Sequence, residues 1–201
     1  MSRLSRLVRG DRAAGRWAVL TGALMAASGA IHATRPDLHA DKVERPVEHA
    51  ILVLLAGLLV LAIPPVLALG RRSGTTLGRR ASMVAVTGQV ALAITCTVSN
   101  VNGGDPDWFI IAAPLSNLLW AGGWIALAVA LGRSGTVQRW IAIGLPLTWI
   151  ALLPGSSLGG GLLAGGFWIA LGTLMVTGGL APRATATPVT AGTAAGSSSA
   201  G

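Results

Sequence analysis

Apolar residues in this chain come in runs too long and too unbroken to be the inward faces of a soluble fold. Six such runs, 17–33, 47–69, 81–99, 108–131, 140–153 and 161–180, are separated by short polar connections. A hydrocarbon core of about 30 Å takes roughly 20 helical residues to cross. Each run therefore reads as a membrane span, the first and fifth being short ones that tilt little. Lipid offers backbone N–H and C=O groups no partner, which leaves only helices or a closed barrel. Barrel strands alternate apolar and polar residues, and Ile51-Leu52-Val53-Leu54-Leu55 does not. The expected fold is all-α: a polytopic transmembrane helix bundle of about six spans over residues 17–180.

The polar positions between the runs alternate in sign. Arg3, Arg6, Arg9, Arg12 and Arg16 precede the first run; Arg71, Arg72, Arg79 and Arg80 follow the second; Arg133 and Arg139 follow the fourth; Arg183 follows the last. Twelve of the fifteen basic residues thus fall on one side, and six of the seven acids on the other. Basic loops stay in the cytoplasm, so both termini are expected there, which requires an even number of spans. The basic segment 1–16 reads either as a short interfacial helix, with Leu4, Leu7 and Val8 in lipid, or as a disordered topology signal. A cleaved secretory signal ending near Ala33 is the competing interpretation. The long first run and its small-residue face, Gly22, Ala26 and Gly29, favour retention. Residues 181–201, rich in Ala, Thr, Ser and Gly, are expected to be a disordered tail.

Composition adds three points. Charged residues make up only 11% of the chain, against about 25% in soluble domains, so lipid must replace water around much of it. The net charge of +8 does not indicate a nucleic-acid partner, because the arginines sit at span ends, where anionic headgroups meet them. Arginine outnumbers lysine fourteen to one, a bias of high-GC bacterial genomes. The expected location is a bacterial inner membrane. The single cysteine, Cys96, can form no internal disulfide.

Between helices in lipid, close packing must supply association, and small residues permit it. Gly161, Gly165 and Gly172 mark such a face on the last span, and Gly122 and Gly123 on the fourth. Pro64-Pro65 should bend the second span and Pro114 loosen the fourth. Trp17, Trp108 and Trp140 fall at interfaces as anchors. Ala68–Thr75 echoes Ala130–Thr136, through a shared Gly-Arg and Ser-Gly-Thr pattern that reads as one turn chemistry used twice.

Candidate chemistry concentrates on the acidic side. All three histidines lie between the first two spans, and His32, His39, Asp41, Glu48 and His49 are the candidate ligands of a divalent metal, since imidazole and carboxylate suit zinc, manganese or iron. Their spacing matches no standard ligand motif, and a solvated polar loop with incidental histidines is the plainer reading. Haem ligation by His32 and His49 is a further alternative. Glu48 beside His49 forms an acid–base pair or simply suits a helix start. Asn100–Asp107 reads as a turn in preference to a calcium loop. No Asp, Glu, Lys or Arg lies mid-span, which counts against a proton-coupled pump. Gln89 and Asn117 are expected to hydrogen-bond across helices. No phosphate-binding loop, nucleophile elbow or zinc-protease motif occurs.

The stretches Leu118-Leu-Trp120, Ala130–Trp140 and Phe167–Gly172 resemble a pattern of small polytopic, six-helix bacterial integral membrane proteins of uncharacterised function. That resemblance implies a multi-helix membrane protein and no activity. The function expected is that of a non-enzymatic binding or accessory membrane subunit without a cofactor. Its partners would be the lipid bilayer and a second copy or another membrane protein. The alternatives are a small-molecule permease with its site near Gln89 and Asn117, and the outer-face metal site.

Overall fold

The structure is a computed structural model that describes residues 3–34, 45–153, 155 and 158–180, with side chains from residue 10 onward. Seven helices follow in order: α1 (Arg3–Thr34), α2 (Pro46–Leu61), α3 (Ile63–Arg72), α4 (Thr76–Asn102), α5 (Phe109–Ser134), α6 (Arg139–Leu152) and α7 (Gly160–Thr177). No strand occurs among the described residues. α2 and α3 together form one bent span, broken at Ala62 just before Pro64-Pro65, as expected where prolines remove two donors. Five helical stretches are long and apolar enough to cross a membrane, counting Pro46–Arg72 as one. α6, with 14 residues, is about 21 Å long and falls short of the full hydrocarbon thickness. It still runs from one end of the bundle to the other, because α5 ends where α7 ends and α7 begins at the opposite end.

α1 differs from the expectation of a separate basic segment. The helix is continuous from Arg3 to Thr34, with no break at residue 17. Its inner turns are held by an ion pair to α3, Arg72 Nη1 to Asp11 Oδ2 at 2.9 Å. The sole acid of the basic side is thus used to fix one arginine. The tail 181–201 and the loop 35–44 lie outside the described residues.

Helix ends follow local chemistry. Pro46 opens α2, and Glu48 Oε2 accepts from the Arg45 N–H at 2.9 Å. Thr75 caps α4 by accepting from the Gly78 N–H at 3.0 Å. The two echoing turns use the same device. Ser73 Oγ donates to Gly70 O and meets Thr75 Oγ1 at 3.2 Å, while Ser134 Oγ donates to Leu131 O and meets Thr136 Oγ1 at 2.9 Å. Gly74 and Gly135 carry the positive φ between them, at 67° and 61°.

Two helix pairs dominate the packing, α1 with α7 and α4 with α5. In the first pair, a Cβ added at Gly15 would lie 2.7 Å from Gly172 O, one at Gly22 2.6 Å from Gly165 O, and one at Gly29 2.5 Å from Leu162 N. The small-residue faces read on the first and last spans therefore face each other, antiparallel, with backbone against backbone. In the second pair, a Cβ at Gly123 would lie 2.4 Å from Ala85 N and one at Gly88 2.4 Å from Trp120 N. These contacts put the start of α1 and the end of α7 at one end of the bundle. Arg12, Arg16, Arg71, Arg72, Arg79, Arg80, Arg133 and Arg139 lie at that same end.

Candidate functional site

The core between the two glycine-locked pairs is aromatic. Trp120 and Trp124 on α5 and Trp168 on α7 are all fully buried. Their rings form a continuous stack: Trp120 meets Trp124 edge-on at 5.1 Å, and Trp124 meets Trp168 at 5.7 Å. Phe167 and Trp140 extend the series towards the arginine-rich end, at 6.3 and 5.6 Å between ring centres. Sequence position sets this depth. Trp168 sits at the middle of α7, and Trp120 and Trp124 flank the middle of α5. The four-residue spacing puts both α5 rings on one helix face.

Gln89 is the central residue of the 27-residue α4 and is fully buried. Its neighbour Gly88 packs against the backbone of Trp120, so the amide lies at the depth of Trp120, with Trp124 one turn further along α5. Neither Gln89 Oε1 nor Nε2 has a hydrogen-bond partner, and the indole N–H groups of Trp120, Trp124 and Trp168 have none. A buried polar group left unpaired costs about 1–3 kcal/mol, and in hydrocarbon no solvent relieves it.

The expected contact between Gln89 and Asn117 is not made. Asn117 Nδ2 donates to Ala113 O, one turn back on its own helix, at 2.9 Å. Its Oδ1 is buried without a partner, close to Pro114 at the acidic end of the bundle. Polarity marked both residues, but only Gln89 lies in the aromatic layer. Trp120, Trp124 and Trp168 depart from tryptophan's usual preference for membrane interfaces. Their mid-span positions were the available signal. Trp17, Trp108 and Trp140 do sit at apolar-run boundaries and are partly exposed, at 41%, 45% and 39%.

On the acidic side, His32 Nδ1 donates to Ser28 O at 2.9 Å, and His49 Nδ1 to Asn100 Oδ1 at 2.8 Å. Glu48 is engaged with Arg45, Oε1 lying 3.8 Å from the guanidinium Nε. His39 and Asp41 lie outside the described residues, and among the described residues no three His, Cys, Asp or Glu side chains come together. The His49–Asn100 bond, across 51 residues, ties the start of α2 to the end of α4; no local pattern announced it. Asp105 and Asp107 rim a separate cleft floored by Pro114 and Asn117.

Comparison with protein-family models, curated proteins and solved structures finds no match for this chain. Its class, a multi-pass helical membrane protein, rests on the helices themselves.

Proposed function

We propose that this protein is a non-enzymatic binding or accessory subunit of a bacterial inner membrane, with both termini in the cytoplasm and an uncharged small molecule as ligand of the midplane layer. The observation that carries the reading is Gln89, fully buried at the centre of α4 with neither amide atom hydrogen-bonded, at the depth of Trp120, whose indole N–H is also unpaired. Indole and amide N–H donors outnumber the single amide acceptor, so a guest with oxygen acceptors complements the layer. No charged side chain lies near it, so a charged guest would be uncompensated in hydrocarbon. The cytoplasmic placement is supported by the gathering of arginines at one end.

Purification in mild detergent, followed by solvent extraction and mass spectrometry, tests the reading. A discrete small molecule should co-purify with the wild type and be lost with Gln89→Leu, and once both proteins are stripped of it the variant should unfold at a higher temperature by the removal of unpaired groups. A Gln89→Leu protein with the same extract and the same stability as wild type would overturn it.

A permease is the second reading, favoured by the placement of the polar layer between two separately locked helix pairs at the membrane midplane. Liposome flux that survives Gln89→Leu would count against it.

A further inference from the structure

At the arginine-rich end, α5 and α6 leave between them a lipid-facing groove of about 490 Å³. Ile125 and Val129 on α5 and Ile143 and Leu147 on α6 form its walls, and Gly132 and Arg139 stand at its mouth. Local sequence creates it. Gly132 has no side chain to fill the space, its nearest neighbour from a Cβ being Ala142 Cβ at 4.0 Å. Pro146 keeps α6 from donating to the carbonyl of Ala142, which also lines the groove.

From Gly132 to Ile125, and from Arg139 to Leu147, the walls run roughly 10–12 Å along the helices. That is most of one leaflet's half of the roughly 30 Å hydrocarbon. A transmembrane helix of a partner would need a seam across both leaflets. An acyl chain from one leaflet needs only this depth. The exposed Arg139 at the mouth, with exposed Arg133 one residue beyond Gly132, supplies positive charge at headgroup level. We propose that this groove is a binding site for an anionic phospholipid, with an acyl chain between α5 and α6 and the headgroup phosphate on Arg139. It is independent of any midplane ligand.

The test is native mass spectrometry of the full chain in mild detergent, titrated with dioleoyl phosphatidylglycerol or dioleoyl phosphatidylcholine. Wild type should retain phosphatidylglycerol preferentially. Arg139→Gln should lower that preference about five-fold, the equivalent of the ~1 kcal/mol contributed by one basic side chain near an anionic surface. Gly132→Leu, which fills the groove without a backbone clash, should reduce retention of both lipids. Arg79→Gln, at the same end but on α4, is the control and should change nothing. Equal retention of the two lipids by wild type would overturn the site. So would an Arg79→Gln loss as large as that of Arg139→Gln, because the attraction would then be one of general surface charge.

Discussion

The α1–α7 seam makes a sharp prediction about single methyl groups. Alanine at Gly22 places its Cβ 2.6 Å from Gly165 O and 2.8 Å from Ile169 N, whereas ordinary contact begins at 3.4 Å. The nearest obstacle is backbone, so no rotamer change relieves it, and the helices must part by up to about 0.8 Å. Parting them at Gly22 also loosens Gly15 and Gly29, which lie seven residues away on either side in the same seam. Overpacking of this kind costs about 1–3 kcal/mol, offset by the ~0.5–1 kcal/mol that alanine gains over glycine within a helix. Gly22→Ala should therefore destabilise by about 1–2 kcal/mol. Gly122→Ala is the matched control: it is also helical, but no atom lies within 4 Å of its added Cβ. It should be neutral or stabilise by up to about 1 kcal/mol. The assay is reversible unfolding in mixed dodecyl maltoside and SDS micelles, followed by the fluorescence of the buried tryptophans. Adding Gly165→Ala to Gly22→Ala should cost less than it does alone, because the seam is already open. Equal midpoints for Gly22→Ala and Gly122→Ala would refute the reasoning, since the two differ only in what the methyl group meets.

Two further outcomes follow from other contacts. A double-mutant cycle of His49→Ala and Asn100→Ala should give a coupling of about 0.5–1.5 kcal/mol in the same unfolding assay; zero coupling would mean that the 2.8 Å contact does not hold the acidic end together. Because α1 forms one side of a backbone-to-backbone seam with α7, the protein isolated from membranes should retain the first helix, and a species shortened by about 33 residues would show that it is removed as a signal.

Much of the fold was legible because lipid imposes simple demands. Run length located all six apolar helical stretches, although α1 starts well before its run and α6 falls short of the five that are long enough to cross a membrane, and Pro64-Pro65 predicted the break in the second. The glycines of the first and last spans were legible as packing faces. Their pairing was not, since a small-residue face permits close approach without specifying a partner. Gly15 went unnoticed because it lies among arginines, outside the apolar run, yet it continues the seam. The candidate site was only half legible. Gln89 stood out as a polar residue in mid-span, but its pairing with Asn117 failed because polarity gives depth and not rotation about the helix axis. Asn117 instead donates an amide N–H to Ala113 O on its own helix.

Glycine and tryptophan divide the bundle into two kinds of interface, and the division bears on where it can yield. Across the α1–α7 and α4–α5 seams, backbone meets backbone, and any separation forfeits contacts along several turns at once. Between the pairs, the space is filled by Trp120, Trp124 and Trp168, whose rings meet at 5.1 and 5.7 Å and whose N–H groups are bound to nothing. Movement there exchanges side-chain contacts and leaves the seams whole. A guest entering that layer supplies acceptors for the unpaired N–H groups of the indoles and Gln89, so each hydrogen bond it makes removes an existing penalty in addition to forming a contact. Under the binding function proposed above, a guest is therefore better accommodated between the two pairs than across either glycine seam.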